Sequence, residues 1–256
     1  MHFISISWTI FQSFLLGWMG LAVIVFFILL RVTAPYGRHS SVKWGPQVPN
    51  RLGWIIMELP VLLILWIILA PYFKDISLSA WLMISLFSFH YVYRSLVFPF
   101  RLHTHGKKMP LVIVGSAIFF NIINGCSMGY YFTRFAVYTD AWLKNPQFIV
   151  GCFIFFTGLL INWKADSRLI ALRKPSETGY MIPRGGLFEK ISCPNLFGEL
   201  IEWLGFAMLC NNLPALAFFV WTAANLIPRA LSHHRWYQEK FSDYPGNRKA
   251  IIPYII

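Results

Sequence analysis

Acidic residues are scarce in this chain. Of its 256 residues only 10 are Asp or Glu, against 22 Lys or Arg, and charged residues of both signs make up 12%. Soluble domains carry about 25% charged residues, roughly twice the fraction found here. Hydrophobic residues make up 57% of this chain. Internal repeats, low-complexity segments and long linkers are absent as well. The composition therefore predicts an all-α, multi-pass membrane protein in which residues 1–256 form one transmembrane domain.

The chain also lacks the motifs of several common sites. Its four cysteines are scattered without paired spacing, which excludes a disulfide framework and a zinc site. The pairs His103/His105 and His233/His234 are too few and too close for a histidine-ligated metal centre, so no metal is expected. Neither GxGxxG after a strand, nor GxxxxGK[ST], nor GxSxG occurs. A nucleotide, if one binds, is not held by a Rossmann unit or a P-loop.

Seven apolar stretches are long enough to cross a bilayer, which needs roughly 20 residues per helix. The first lacks a basic leading segment and a cleavage site, and therefore predicts a retained helix instead of a signal peptide. The predicted spans are 8–30, 52–70, 78–100, 110–133, 146–165, 196–211 and 213–232.

The net charge of +12 could suggest a nucleic-acid partner, but the distribution of charge favours a membrane topology. Most basic residues fall in alternate loops, and the opposite side has only Lys74, Arg134 and Lys144. By the positive-inside rule the N-terminus is outside and the C-terminus cytosolic. We expect membrane lipid as a partner, no nucleic acid, and a monomer.

Three helix-length stretches near the C-terminus carry polar residues at one-face spacing, since offsets of four, seven and eleven return to nearly the same side of a helix. Ionisable groups at membrane depth are costly unless they face a cavity or one another, so these faces predict a site for a charged, polar ligand. The fifth helix is expected to continue to about Leu172, and Pro228 to bend or locally break the seventh. The three faces are Asn162/Asp166/Arg173, Asn195/Glu199/Glu202 and Arg229/His233/Tyr237.

Each face also has a plain structural reading. The first can be a solvated helix end with its own ion pair, and the third can be a set of basic membrane anchors. Glu199 and Glu202 lie inside an apolar run and need partners, for which Arg173 or Arg229 are the expected candidates. Taken together, the faces suit a ligand with phosphates, ribose hydroxyls and an amide.

A second candidate site lies in the first half of the chain. Glu58 is surrounded in sequence by apolar residues, and loss of hydration favours its neutral, donating form. Together with Tyr91 it could polarise a ketone and stabilise a developing enolate. The alternative is that Glu58 only pairs with Arg94 while Tyr91 caps a neighbouring helix.

These segments, in this order, resemble the membrane-embedded steroid 5α-reductase family from about residue 30 onward. Each motif is weak alone, but their order and spacing together are specific. The segments that carry the resemblance are Tyr36-Gly-Arg-His39, Glu58-Leu-Pro60, His90-Tyr-Val-Tyr-Arg94, Asn124-Gly-x-x-x-Gly-Tyr-Tyr131, Asn162-x-x-x-Asp166, Leu172-Arg-Lys-Pro175, Tyr180-x-Ile-Pro-x-Gly-Gly-Leu-Phe188, Asn195-x-x-Gly-Glu-x-x-Glu-Trp203, Leu213-Pro-Ala-Leu-Ala-Phe218, His233-His-Arg-x-Tyr237, Tyr244-Pro245 and Arg248-Lys-Ala-Ile-Ile-Pro253.

The resemblance implies NADPH-dependent reduction of the C4–C5 double bond of 3-oxo-Δ4 steroids, such as progesterone or testosterone. It implies catalytic roles for Glu58 and Tyr91, which would polarise the C3 carbonyl, and a substrate cavity that also includes Met57 and Trp203. The positions expected to hold NADPH are Asn162, Asp166, Arg173, Tyr180, Asn195, Glu199, Arg229, His233 and Tyr237.

Two positions depart from the family pattern. Met57 stands where the family often has Gln, and a thioether cannot replace an amide's donor and acceptor. Met181 stands where some relatives carry a basic residue, which puts one phosphate contact in doubt. The steroid preference is therefore open.

Other functions remain compatible with the sequence. A related reductase of an enoyl-CoA, a polyprenol or another sterol would share the cofactor face but need a different substrate cavity. A non-enzymatic seven-helix transporter or lipid binder would not need the aligned polar faces, and a membrane methyltransferase is more distant. The host membrane is expected to be the bacterial inner membrane or the endoplasmic reticulum.

Overall fold

The computed structural model describes residues 6–103, 106–172 and 179–256. Helices dominate this part of the chain and surround buried aromatic and aliphatic side chains. The helices in the described ranges are α1 (Trp8–Arg31), α2 (Asn50–Leu69), α3 (Leu78–Val92), α4 (Phe98–Arg101), α5 (Leu111–Arg134), α6 (Pro146–Ala171), α7 (Pro194–Cys210) and α8 (Leu213–Lys240).

A helix lies at each of the seven predicted positions. Within the described ranges, five helical segments are long and apolar enough to cross a membrane, namely Trp8–Arg31, Asn50–Tyr72, Leu111–Arg134, Pro146–Ala171 and Leu213–Lys240. The third predicted span divides into α3, one π-helical turn at Tyr93–Val97, and α4. The sixth is α7, which has 17 residues. This architecture agrees with an all-α, multi-pass membrane protein.

A short pair of strands, which the sequence did not predict, sets α2 beside α5. Strand β1 (Gln47–Pro49) pairs antiparallel with β2 (Lys108–Pro110), and each strand leads directly into a helix. Further along, Gly125 of α5 leaves room for the backbone of α2, because a Cβ there would lie 2.9 Å from the Val61 carbonyl oxygen. One turn later Gly129 meets Ile68, so the contacts advance along both helices together, and α2 and α5 run side by side in the same direction.

Helices α6 and α8 confirm one prediction and correct part of another. Helix α6 continues to Ala171, as expected from the polar face beyond its apolar run. Of the bend or local break expected at Pro228, the break is wrong, because α8 is unbroken from Leu213 to Lys240 with Pro228 inside it. Proline removes one backbone donor but does not end a helix whose neighbours are held by packing, and Pro228 and Ala230 are both buried.

Helices α6 and α7 approach each other at backbone distance. A Cβ on Gly158 would collide with the Glu202 amide nitrogen and lie 2.6 Å from the Gly198 carbonyl oxygen. A Cβ on Gly198 would likewise collide with the Asn162 amide nitrogen. Small residues allow this contact in a membrane, where close packing replaces the hydrophobic effect between helices. The contact brings the polar faces of α6 and α7 together.

Candidate functional site

Two adjoining cavities occupy the interior between the helices. The first is polar, has a volume of about 210 Å³, and is lined by the α1–α2 loop and by parts of α6, α7 and α8. Six of the residues predicted to hold a cofactor line it: Asp166, Tyr180, Asn195, Arg229, His233 and Tyr237. Five of these residues belong to the three polar faces, which therefore converge at this cavity, and Tyr180 joins them from the segment between α6 and α7.

The first and second polar faces are hydrogen-bonded to each other. Asn195 Nδ2 donates to Asp166 Oδ1 at 3.0 Å, and Asn162 Nδ2 donates to the Asn195 backbone oxygen at 3.0 Å. Asn162 is buried and does not line either cavity. Its position therefore suits holding Asn195 in place more directly than contacting a ligand. Arg173, the remaining member of the first face, lies outside the described residues.

The third polar face holds the α1–α2 loop. Arg229 donates to the backbone oxygens of Ala34 at 2.7 Å and Tyr36 at 2.6 Å, and its guanidinium lies 3.7 Å from the Tyr36 ring centroid. His233 Nδ1 and His39 Nε2 are 3.1 Å apart, and the two rings are stacked. Burial lowers the pKa of His39 to about 4, with Arg229 and Arg38 adding to the effect. Both charges repel a proton, so the loop is held with His39 neutral.

Arg38, which the sequence analysis did not single out, projects from this loop into the polar cavity. It donates to the Tyr237 hydroxyl at 3.2 Å and lies over the rings of Trp236 and Tyr180 at 4.7 and 5.3 Å. Its Nη1 is buried and has no hydrogen-bond partner among the described residues. A buried donor without a partner is costly, and an anion in the cavity would satisfy it.

The second cavity is mainly apolar, has a volume of about 550 Å³, and reaches from α1 across to α3 and α7. Its lining includes all four predicted substrate or catalytic positions, and Glu199 as well: Met57, Glu58, Tyr91, Trp203 and Glu199. Glu199 therefore lies on the substrate side of the site, apart from the six residues of the polar cavity.

Arg94 lies where the two cavities meet and lines both of them. It is in the π-helical turn, an irregularity that is frequent at functional sites. Its guanidinium nitrogens lie 3.9 Å from Glu58 Oε1, 3.9 Å from Asp166 Oδ2 and 3.8 Å from Glu199 Oε2. Trp54 covers the same guanidinium at 4.4 Å. One cation is thus shared by three carboxyl groups from three helices.

The pairing of the α7 carboxylates corrects the sequence analysis. Arg229 was an expected partner for Glu199 and Glu202, but it is bound to loop carbonyls instead. Glu199 pairs with Arg94, and Glu202 Oε1 lies 2.7 Å from His90 Nδ1. The sequence could not give these pairs because α3 and α7 become neighbours only in the folded bundle. The segment from His90 to Arg94 was the one signal that could have indicated them.

An amide from α5 stands beside Met57. Asn121 Nδ2 donates to the Met57 backbone oxygen at 2.5 Å, and Asn121 lines the apolar cavity. Its Oδ1 is buried and has no hydrogen-bond partner among the described residues. An amide group is therefore present next to Glu58 although position 57 itself is a thioether.

Within the described residues no cluster of three or more His, Cys, Asp or Glu side chains could hold a metal ion. The arrangement instead combines buried cations and aromatic rings at one end with an apolar chamber that contains a carboxyl group and a phenol. The fold and site define a class of protein, a helical membrane protein with adjoining polar and apolar cavities.

Known proteins match this chain over most of its length. The family model described as 3-oxo-5-alpha-steroid 4-dehydrogenase matches residues 107–256. The chain is similar to 3-oxo-5-alpha-steroid 4-dehydrogenase 1 of Bos taurus, with 42% identity over 93% of each chain. It is 38% identical to the steroid 5-alpha-reductase DET2 of Gossypium hirsutum, over 96% of this chain and 98% of that protein. With the human 3-oxo-5-alpha-steroid 4-dehydrogenase 1 the identity is 43%, over 68% and 67% of the two chains.

The chain belongs to the 3-oxo-5-alpha-steroid 4-dehydrogenase family, and is an oxidoreductase of that type. The resemblance inferred from the ordered motifs is thereby confirmed.

Proposed function

We propose that this protein reduces the C4–C5 double bond of 3-oxo-Δ4 steroids with NADPH, giving 5α-steroids. The observation that carries the proposal is the junction at Arg94, where a polar cavity suited to a dinucleotide opens beside an apolar cavity that contains Glu58 and Tyr91. A dinucleotide reductant and an apolar enone would meet at this point.

The polar cavity has the donor groups that NADPH needs. Arg38 offers a buried guanidinium nitrogen that has no partner in the described part of the chain, and Lys107, Lys108 and Arg229 add positive charge to the same lining. Charge-assisted hydrogen bonds from such groups bind phosphates strongly. Ligand pockets usually measure about 300–1,000 Å³, so a dinucleotide would extend past Arg94 from the 210 Å³ polar cavity into the apolar one. The residues proposed to contact it are Asp166, Arg173, Tyr180, Asn195, Glu199, Arg229, His233 and Tyr237, with Asn162 holding Asn195.

NADPH, when bound, supplies the hydride that goes to C5 of the steroid. The protein's own part is to polarise and align the enone. Glu58 and Tyr91 hydrogen-bond the C3 oxygen, which draws electron density from the double bond and makes C5 electrophilic. Trp203, only 1% exposed and packed edge-on against His90, would border the nicotinamide and the steroid.

The charges around Arg94 support a neutral, donating Glu58. Glu58, Asp166 and Glu199 share one guanidinium, so if all three were ionised the cluster would carry two uncompensated negative charges in a largely buried site. Like charges this close disfavour full ionisation, and one carboxyl group keeps its proton. Glu58 is the member that faces the apolar cavity beside Tyr91, and a protonated carboxyl group there can donate to a ketone.

The steroid would enter laterally from the lipid. The apolar cavity is lined by Leu21 of α1 and by Ser116 and Phe119 of α5, which are all exposed on the outer face of the bundle. Asn121 would take the place of the amide that is missing at position 57. Its Oδ1, which accepts no hydrogen bond from the residues that the structure describes, is available to a donor in the cavity.

NADPH oxidation by the purified protein in detergent tests the proposal, with progesterone, testosterone and an enoyl-CoA as substrates and products identified by mass spectrometry. We expect turnover with the two steroids and 5α-reduced products. Glu58→Gln should keep more activity than Glu58→Ala, because an amide still donates to the C3 oxygen; equal total loss would contradict the neutral-donor role. Turnover with the enoyl-CoA alone would assign a different substrate, and failure to bind NADPH would contradict the proposed cofactor.

We also propose seven membrane crossings, with the N-terminus outside and the C-terminus in the cytosol. The basic residues support this orientation, because Lys74, Arg134 and Lys144 alone fall on the opposite side. A cysteine placed at Lys144 should react with an impermeant maleimide in intact cells, whereas one placed at Lys240 should react only after lysis. Labelling of both from outside would overturn this topology.

A further inference from the structure

The pair formed by His90 and Glu202 lies beside the reaction site but has no part in polarising the carbonyl. Glu202 is fully buried, His90 is 6% exposed, and Nδ1 of the imidazole lies 2.7 Å from Glu202 Oε1. The other carboxylate oxygen, Oε2, is buried without a hydrogen-bond partner among the described residues. A buried carboxylate with one oxygen unsatisfied is costly. Buried polar groups that lack a hydrogen-bond partner are concentrated at functional sites.

The imidazole is oriented toward the substrate side. His90 lines the apolar cavity together with Tyr91 and Glu58, and its ring packs edge-on against those of Trp203 at 4.6 Å and Tyr91 at 5.3 Å. With Nδ1 fixed by Glu202, Nε2 has no hydrogen-bond partner among the described residues. A carboxylate that orients an imidazole through Nδ1 leaves Nε2 as the group that exchanges protons with a substrate.

The proposed reaction requires a proton in this cavity. Hydride addition at C5 leaves an enolate whose carbanion character is at C4, next to the C3 carbonyl. Glu58 and Tyr91 are then occupied by the C3 oxygen, so a further group must protonate C4. Among the described residues that line the cavity, His90 carries an imidazole, the side chain best suited to give and take protons, and it directly precedes Tyr91 on α3.

We propose that His90, oriented by Glu202, is the general acid that protonates C4. The Nε2–H bond breaks and its electrons stay on Nε2, while the C3=C4 π pair of the enolate forms the C4–H bond. A lone pair on the C3 oxygen restores the C3 carbonyl. The imidazole is left neutral, and water returns its proton. Glu202 does not touch the substrate and is a positioning residue, whose charge stabilises the imidazolium. This inference rests on the proposed steroid reduction.

The stereochemistry of the product made in D2O tests the role directly. Protonation by a fixed group adds deuterium to one face of C4, so the wild-type protein should yield a single C4 epimer by NMR. His90→Gln should lower kcat by about 100-fold or more, the usual contribution of a general acid, and give a mixture of C4 epimers. Unchanged kcat and a single epimer in this variant would overturn the proposal.

The pH profile tests the contribution of Glu202. The groups that face His90 are Glu202 and Glu199 of α7, Arg94 of the π-helical turn, and the neighbouring Glu58 and Tyr91. The wild-type kcat should fall as rising pH deprotonates the imidazole. In Glu202→Gln this fall should begin at lower pH, because the carboxylate that stabilises the imidazolium is gone; an unmoved profile would reduce Glu202 to a packing role.

Controls separate a chemical role from a folding defect. His103→Gln makes the same change in a histidine away from both cavities, and should leave kcat and the single epimer unchanged. NADPH binding, followed by its fluorescence, should stay within about threefold of wild type in His90→Gln. If the wild-type protein makes no 5α-steroid, the proposed function fails; if it does and His90→Gln matches it, only the role of His90 fails.

Discussion

The backbone contact between α6 and α7 leads to a prediction that can be worked out from the structure. A Cβ on Gly158 would meet the Gly198 carbonyl oxygen at 2.6 Å and the Glu202 Cα at 2.7 Å, where ordinary contacts are 3.4–4 Å. Gly158→Ala therefore requires the two helices to separate by about 1 Å. Overpacking of this kind costs roughly 1–3 kcal/mol, of which the better helix propensity of Ala offsets a part.

The separation also reaches the site. Asn195 Nδ2 and Asp166 Oδ1 are 3.0 Å apart, and an added 1 Å would take this pair beyond hydrogen-bonding distance. We therefore expect Gly158→Ala to weaken NADPH binding as well as to lower the thermal stability.

Thermal unfolding in detergent, followed by tryptophan fluorescence, measures the effect. A loss of 1 kcal/mol corresponds to about 2–4 °C in Tm for a protein of this size. Gly115→Ala is the matched control, since a Cβ there meets nothing within 4 Å, and its Tm should be unchanged or slightly raised. Equal Tm values for the two variants, with equal NADPH affinity, would refute the argument that the glycine contact sets the geometry of the site.

Three further predictions concern the charged groups. Arg94→Met leaves three carboxyl groups without their shared cation and should destabilise the fold by about 3–5 kcal/mol. The loss is measured as the Tm of this variant compared with that of Arg94→Lys. A Tm equal to that of the wild type would show that the cluster is not paired in solution. Arg38→Gln should raise the Kd for NADPH about tenfold at low salt, and by less at high salt. The same substitution at the exposed Arg235 should leave the Kd unchanged. Equal effects of the two variants would show that Arg38 is not part of the binding site. The pKa of His39 is lowered from 6.5 to about 4 by burial and by Arg229 and Arg38, so its contribution to stability is fully present above pH 6.5 and is lost as the pH falls from 6.5 to 4. Wild-type Tm should therefore fall more between pH 7 and pH 4.5 than the Tm of His39→Gln, and parallel curves would contradict this.

The positions of the helices could be predicted from the sequence because each is a long apolar run. The ends of α6 and α8 go beyond these runs, and polar one-face spacing was enough to predict that α6 continues. The three-residue strands β1 and β2 were missed, since two paired segments of this length have no pattern that a periodicity can detect. Of the bend or local break expected at Pro228, the break does not occur, because tertiary packing overrides a local preference.

The site was predictable in part. The spacing of polar residues along α6, α7 and α8 identified side chains that do converge, because residues on one face of a helix point towards the same cavity. The partners of Glu199 and Glu202 were not predictable in this way, since they come from α3 and its π-helical turn. Arg94 was considered only as a partner of Glu58, and its contact with three helices depends on how the bundle packs. Arg38 lies in a loop, where no periodicity indicates which side chains turn inward.

Transfer of deuterium from the cofactor to the steroid tests the central claim most directly. The purified protein would be supplied with NADPH deuterated at C4 of the nicotinamide and with progesterone or testosterone in ordinary water. The account predicts one deuterium in the product, at C5 and on the α face, because the hydride crosses from the polar cavity to an enone held at Glu58 and Tyr91. A product with no deuterium at C5, or oxidation of the cofactor without a change in the steroid, would contradict it.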